Sequence, residues 1–228
     1  LFKAQTVVES KIFKSQYTVN KQEIITWLST IKSIEVTPEQ KGFLDIFSKA
    51  DAEMVKAYNL DIILRHEFNI ISGEILDASV HGIWSFHHGD NSINRGSPAG
   101  FWEVYLNQPV VGVTLQKLTA ELDGGLVIDR GYFNRHWAFY KTNRNIHEDS
   151  VSILFKSINR LQQGKLTLSK SPVYYNPLYK VPSLGITLLY ILRFYKNLVT
   201  KMLGSLLSKF FGVRHDCWTL FIGKGNYM

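Results

Sequence analysis

Residues 82–96 read Gly-Ile-Trp-Ser-Phe-His-His-Gly-Asp-Asn-Ser-Ile-Asn-Arg-Gly, and Leu122-Asp123-Gly124-Gly125 follows downstream. An apolar run ends in His87 and His88 and breaks into a polar loop. A histidine titrates near neutral pH, so an imidazole that meets a distant carboxylate can hold and move a proton. Arg95-Gly96 adds a cation, and the glycines after Asp123 allow close backbone approach to a ligand. The plainer reading is that a histidine at a strand end is a hydrogen-bonded structural residue. His87 or His88 with Asp90 and Asp123 could also suit Zn²⁺ or Fe²⁺. However, adjacent residues of a continuing strand face opposite ways, which removes one ligand, and no metal is expected. Trp84, Phe86, Phe101, Trp102 and Tyr105 read as core aromatics, with Trp102 also a candidate for a pocket wall.

Side chains converge in this way at the carboxyl ends of strands in open α/β sheets. Helices are expected over 1–13, 22–31, 48–58 (capped by Ser48 with Asp51 in its first turn), 74–80, from Pro98, and over 149–161. Strands are expected over 33–37, 60–64, 82–87, 110–118 and 126–133, the last two as antiparallel neighbours because their linker is short. The alternation implies an α/β class with a mainly parallel sheet. Residues 1–171 read as this domain. Residues 172–228 read as a linker, a helical extension over 184–211 that could break near Gly204, and a terminal strand over 217–222. The extension carries Arg193, Lys196, Lys201 and Lys209 and no acidic residue. It is too interrupted to span a bilayer. It reads as a helix packed on the domain or a partner, or as an in-plane helix contacting a membrane surface. The unpaired terminal strand calls for a further domain beyond residue 228.

A chain of 228 residues with 45% hydrophobic and 20% charged residues can bury a core, which excludes wholesale disorder. The net charge of +7 leans toward anionic partners. No run of like charge forms a nucleic-acid arm. Cys217 is the only cysteine, so no internal disulfide or cysteine-based zinc motif is available. With no signal-peptide pattern at the start, a cytoplasmic location is expected. The first residue is Leu, so the chain reads as a fragment.

Four short motifs fall in order: Ser85-Phe86-His87-His88-Gly89, Arg95-Gly96, Gly112-Val113-Thr114 and Leu122-Asp123-Gly124-Gly125. Together, over about residues 60–131, they resemble the 10-formyltetrahydrofolate-dependent formyltransferases, which include the methionyl-tRNA and glycinamide ribonucleotide enzymes. That family carries Asn-x-His-Pro-Ser, Arg-Gly, Gly-Val-Thr and Leu-Asp-x-Gly in the same order. The resemblance implies a Rossmann-like sheet, here without the family's opening strand and glycine turn, as though the first βα unit were lacking. It implies His87 and Asp123 as catalytic residues, with Ser85 in the asparagine's place. Leu64, Arg65, Phe68 and Gly124 would lie against the folate. His88, Asp90, Asn91, Arg95 and Gly96 would face the substrate. His88 stands where the family has proline, and a hydroxyl cannot make the two-headed contact of a carboxamide.

The expected activity is transfer of a formyl group from 10-formyltetrahydrofolate to a small-molecule amine such as an amino sugar or a sugar-lipid precursor. No strand-rich RNA-binding barrel follows residue 171, so no nucleic-acid partner is expected. The alternative is a catalytically altered binding or regulatory module of a larger transferase that keeps the formyltransferase fold.

Overall fold

A computed structural model describes residues 1–14, 20–93, 95–120, 125–170 and 178–211. In chain order its elements are α1 (Phe2–Ile12), α2 (Lys21–Ser29), β1 (Glu39–Lys41), β2 (Leu44–Ile46), α3 (Lys49–Lys56), β3 (Ile63–Arg65) and β4 (Ile70–Ser72). A 3-10 turn (Glu74–Asp77) leads to β5 (Ile83–His87), β6 (Arg95–Gly96), α4 (Phe101–Tyr105), β7 (Val110–Lys117) and β8 (Leu126–Asn134). Then come α5 (Phe139–Gln162), β9 (Ser169–Lys170), β10 (Leu178–Tyr179) and α6 (Leu184–Phe211).

The central sheet runs β3-β5-β7-β8-β9. Its first pair, β3 and β5, is parallel; β5–β7, β7–β8 and β8–β9 are antiparallel. The sheet is therefore mixed, and the mainly parallel arrangement holds for one pair only. The reason is local. Only eight residues separate β7 from β8, too few for a crossover, so the pair is antiparallel. A second sheet, β1-β2-β4, pairs β2 with β4 in parallel, and β6 pairs in parallel with β10.

Period-two alternation divides β5 between two environments. Trp84 packs with Val111, Val113, Leu115 and Ile128 beneath Ile146 and Ile153 of α5. Ile83 joins Phe47, Ile71 and Leu76 under the smaller sheet and α3. α3 starts as expected: Ser48 and Asp51 form a reciprocal capping box. A third core cluster joins Phe101 of α4 and Phe139 of α5 to Tyr190 and Phe194 of α6.

Three expectations change. No strand forms over 33–37; the short β1 and β2 follow Pro38 instead. The segment after Glu74 is a single 3-10 turn rather than a helix to residue 80. α5 begins at Phe139, well before Asp149. Its polar first turns are held by tertiary partners. The buried Glu9 carboxylate accepts from the Tyr140 backbone N–H at 2.9 Å and from the Tyr190 hydroxyl at 2.6 Å. α6 continues through Gly204 without a break. The expected strand over 217–222 lies outside the described residues. Among those described, no helix is long and apolar enough to cross a membrane.

Candidate active site

One face of the central sheet is apolar and covered by α5; on the other, Ile83 packs into the smaller core and a polar row follows it. Ladder register aligns Arg65 with Ser85 and Ser85 with Gln116. One step along, His87 is level with Thr114 and Thr114 with Arg130. Gly112 is level with Tyr132. The row lies on buried ground, since Ser85 is 3% exposed and Thr114 is fully covered.

Arg65 organises the end of β3. Its Nη1 donates to Ser85 Oγ at 3.0 Å, Nε donates to the Asn69 carbonyl at 3.1 Å, and Nη2 donates to the Phe68 carbonyl. The buried Asp45 carboxylate accepts from the Asn69 backbone N–H at 2.8 Å and its side-chain amide at 3.1 Å. That amide holds the Asp45 carboxyl below its usual range. Arg65 is thus the clamp of the 66–69 turn and of Ser85. Phe68 projects against Phe47 with ring centroids 5.6 Å apart. Leu64 is level with Trp84, on the sheet face opposite Ser85, and is exposed. The Leu64 side chain therefore does not join the polar row.

The paired histidines diverge as the pleat requires. His87 stays on the polar face beside Thr114. His88 turns toward α5, stacking on His147 with ring centroids 3.8 Å apart and on Phe86 at 5.6 Å. Burial, then the neighbouring His147, His87 and His66, lower the His88 pKa to about 3. It is neutral at physiological pH and lines a small recess with Gly96, Pro98, Trp102 and Tyr179.

The loop after His88 folds back over the sheet. Tyr132 donates to Asp90 Oδ2 at 2.7 Å, and the Ser92 backbone N–H donates to Asp90 Oδ1 at 2.8 Å. Arg130 approaches the same carboxylate at 3.9 Å and donates through Nη2 to Asn91 Oδ1 at 2.9 Å. Thr114 Oγ1 donates to the Gly89 carbonyl at 3.1 Å. Burial resists ionisation of Asp90, but donors from Ser92 and Tyr132 and the Arg130 charge outweigh it and lower its pKa. Asp90 and Asn91, expected at the substrate, are both buried and hydrogen-bonded to this loop and to β8, and Asp90 also lines a cavity. Glycine is required beneath it: a Cβ on Gly112 would lie 2.5 Å from Asp90 Cβ.

Gly96 is likewise structural. It pairs with Tyr179, whose carbonyl oxygen would lie 1.9 Å from an added Cβ. Arg95 is level with Leu178 through its backbone, and its side chain lies outside the described residues. Trp102 stacks on Tyr179 at 4.7 Å and donates to the Lys180 carbonyl at 3.1 Å. Asp123 and Gly124 lie outside the described residues. Gly125 does not: a Cβ there would meet Gln116 Oε1 at 3.1 Å, so the chain leaving the Asp123 segment rejoins the sheet next to Ser85's cross-strand neighbour.

Two cavities flank the polar row. One, of about 600 Å³, is lined by residues 72–74, 76–77 and 117–120, with Leu76 and Leu118 as apolar walls and Glu74 and Asp77 as polar ones. The other, of about 200 Å³, is lined by Asp90, Ile93, Glu103, Val110, Gly112 and Tyr132. β7 runs from one to the other, roughly 20 Å at strand rise, with Thr114 and Gln116 between. Gln116, Arg130 and Tyr132 were not anticipated as site residues. The alternation of Gly112, Thr114 and Gln116 opposite Ser85 and His87 is the signal that could have found Gln116. Among the described residues, no group of three His, Cys, Asp or Glu side chains could hold a metal ion.

No family model and no curated protein matches the sequence. Among solved structures, the chain is similar to HypX from Aquifex aeolicus at 17% identity and a TM-score of 0.48, over 60% of this chain and 24% of that one. It thus spans about a quarter of the HypX chain. It is also similar to the formyltransferase PseJ from Anoxybacillus kamchatkensis, with 15% identity, a TM-score of 0.47, and 72% and 82% of the two chains covered. That structure holds tetrahydrofolate and UDP-4,6-dideoxy-4-formamido-L-AltNAc. A third is a 4-N formyltransferase from Francisella tularensis, at 17% identity and a TM-score of 0.45, over 62% and 64%.

Proposed function

We propose that the chain transfers a formyl group from 10-formyltetrahydrofolate to the amine of a small molecule of the amino-sugar class. The observation that supports this reading is that Ser85 and His87 are level with Gln116 and Thr114 on the strand that runs between the two cavities, with Gly125 beside Gln116. The larger cavity suits a flat heterocycle: Leu76 and Leu118 offer apolar walls, and Glu74, Asp77 and Thr119 offer polar partners. The smaller cavity suits the acceptor.

Bound there, 10-formyltetrahydrofolate would supply an activated formyl carbonyl. His87 donates a hydrogen bond to the formyl oxygen as it gains negative charge. Ser85, whose oxygen already accepts from Arg65, turns its own proton toward the same oxygen. Asp123 receives the proton that the attacking amine sheds. The bond from the formyl carbon to the folate nitrogen breaks as the bond to the acceptor nitrogen forms, and the shed proton ends on the folate nitrogen. An amino sugar on a lipid-linked precursor would fit the apolar, basic character of α6.

The test is to incubate the chain with 10-formyltetrahydrofolate and a panel of amino sugars and their nucleotide conjugates, following tetrahydrofolate release and product mass. Formylated product that disappears in His87→Asn and Asp123→Asn supports the reading. A folded chain that is silent across the panel argues against it. A second reading rests on Ser85 itself, because its hydroxyl is already engaged by Arg65. Folate-analogue binding by calorimetry without turnover would assign a binding module.

A further inference from the structure

We propose that α6 docks in the plane of an anionic lipid bilayer. This inference stands on the helix itself and not on formyl transfer. Thr187, Tyr190, Phe194 and Leu198 follow helical spacing and form the docked face, and from residue 199 onward no described residue joins a core cluster. The opposite face carries Leu188, Leu192, Val199, Leu203, Leu206 and Phe210 in a second helical line. All six are exposed, from 48% at Leu188 to 82% at Phe210. Isolated exposed apolar residues are ordinary, but a line along about six turns is not.

Charge selects the occupant. α6 holds Arg193, Lys196, Lys201 and Lys209 and no acidic residue. On the helical projection, Lys196 borders the apolar line on one side and Lys209 borders it on the other. Long basic side chains can bury their stems and lift their ammonium groups to phosphate level. A second copy of this chain would bring a like-charged helix against this face, on a molecule whose net charge is already +7. The helix cannot cross the bilayer, so it lies along the surface. α2 and the residues just after it expose further apolar side chains: none of α2 is buried, and Ile24, Trp27, Leu28 and Ile31 are exposed between Lys21 and Lys32, with Glu23 in the first turn.

The experiment is co-sedimentation of the full chain with vesicles of phosphatidylcholine containing about a quarter phosphatidylglycerol, and with pure phosphatidylcholine vesicles, at low and high salt. Binding to the anionic vesicles that weakens with salt is expected. Lys196→Gln with Lys209→Gln should weaken it by about 25-fold, taking roughly five-fold per charge. Leu192→Asp with Val199→Asp, both outside the core, should abolish it with the helical circular dichroism unchanged. Equal affinity for both vesicle types, or no binding, overturns the proposal. So does a dimer in sedimentation velocity that Leu192→Asp dissolves while vesicles are ignored.

Discussion

The Arg65 guanidinium donates to the Ser85 hydroxyl at 3.0 Å while two of its other nitrogens hold the Phe68 and Asn69 carbonyls. One cation therefore closes a turn and orients a hydroxyl on the neighbouring strand. A lysine keeps the charge but not the fork. Arg65→Lys should loosen the turn and cost about 1 kcal/mol in urea unfolding, since the Phe68 and Asn69 carbonyls are exposed. If Ser85 acts on the formyl oxygen, the same change lowers kcat with little effect on KM.

The loop from His88 to Ser92 rests on Gly112 and is tied down by Tyr132. Gly112→Ala places a methyl 2.9 Å from the Asp90 backbone nitrogen, where no rotamer relieves it. The loop must lift, at a cost of about 1–3 kcal/mol. Tyr132→Phe removes only the hydrogen bond to Asp90 and should cost less, about 1–2 kcal/mol. Thermal unfolding should rank the two variants in that order; equal losses would mean that the loop does not rest on β7.

His88 gives the fold an acid limit. Its folded pKa of about 3 lies below the ordinary histidine value of 6.5. The unfolded chain therefore binds the proton more readily, and this contribution to stability is complete above pH 6.5 and declines as pH falls toward 3. His88→Asn should flatten the stability-against-pH curve between pH 6 and about 4 relative to the parent. An unchanged slope would place the acid sensitivity elsewhere.

Glu9 works in the opposite direction. Burial raises its pKa, although Tyr190, the Tyr140 N–H and Gln5 all donate to it. With the folded value raised, its contribution is complete below the unfolded carboxylate value and is lost as pH rises through the folded one. Glu9→Gln should therefore remove a decline in stability on the neutral side of the carboxylate range. Glu9→Ala should be harsher, stranding the Tyr140 N–H and the Tyr190 hydroxyl at about 1–3 kcal/mol each. Chemical unfolding of both variants across pH separates the two effects.

Much of the architecture follows from short windows of sequence. Alternation over Ile83–His87 and over the β7 segment sets two strands, and the brief link to β8 makes an antiparallel pair. Ser48 with Asp51 starts α3, and the apolar, acid-free run from Leu184 to Phe211 reads as a helix. The motif-bearing strands β5, β7 and β8 do share one sheet, although that sheet is mixed rather than mainly parallel. These features depend on neighbours in the chain, where backbone sterics and side-chain period act directly.

Tertiary structure alone decided the assignments of individual side chains. His88 became a half-buried partner of His147 because β5 keeps its pleat to the last residue. Asp90 and Asn91 became loop anchors because Arg130 and Tyr132 arrive from β8, about forty residues away. α5 could begin at Phe139 because Glu9, 131 residues before Tyr140, supplies an acceptor for its first turn. Hydrogen bonds of this reach leave no mark in a local window. They exist only once packing brings the partners together and burial makes an unpaired polar group costly.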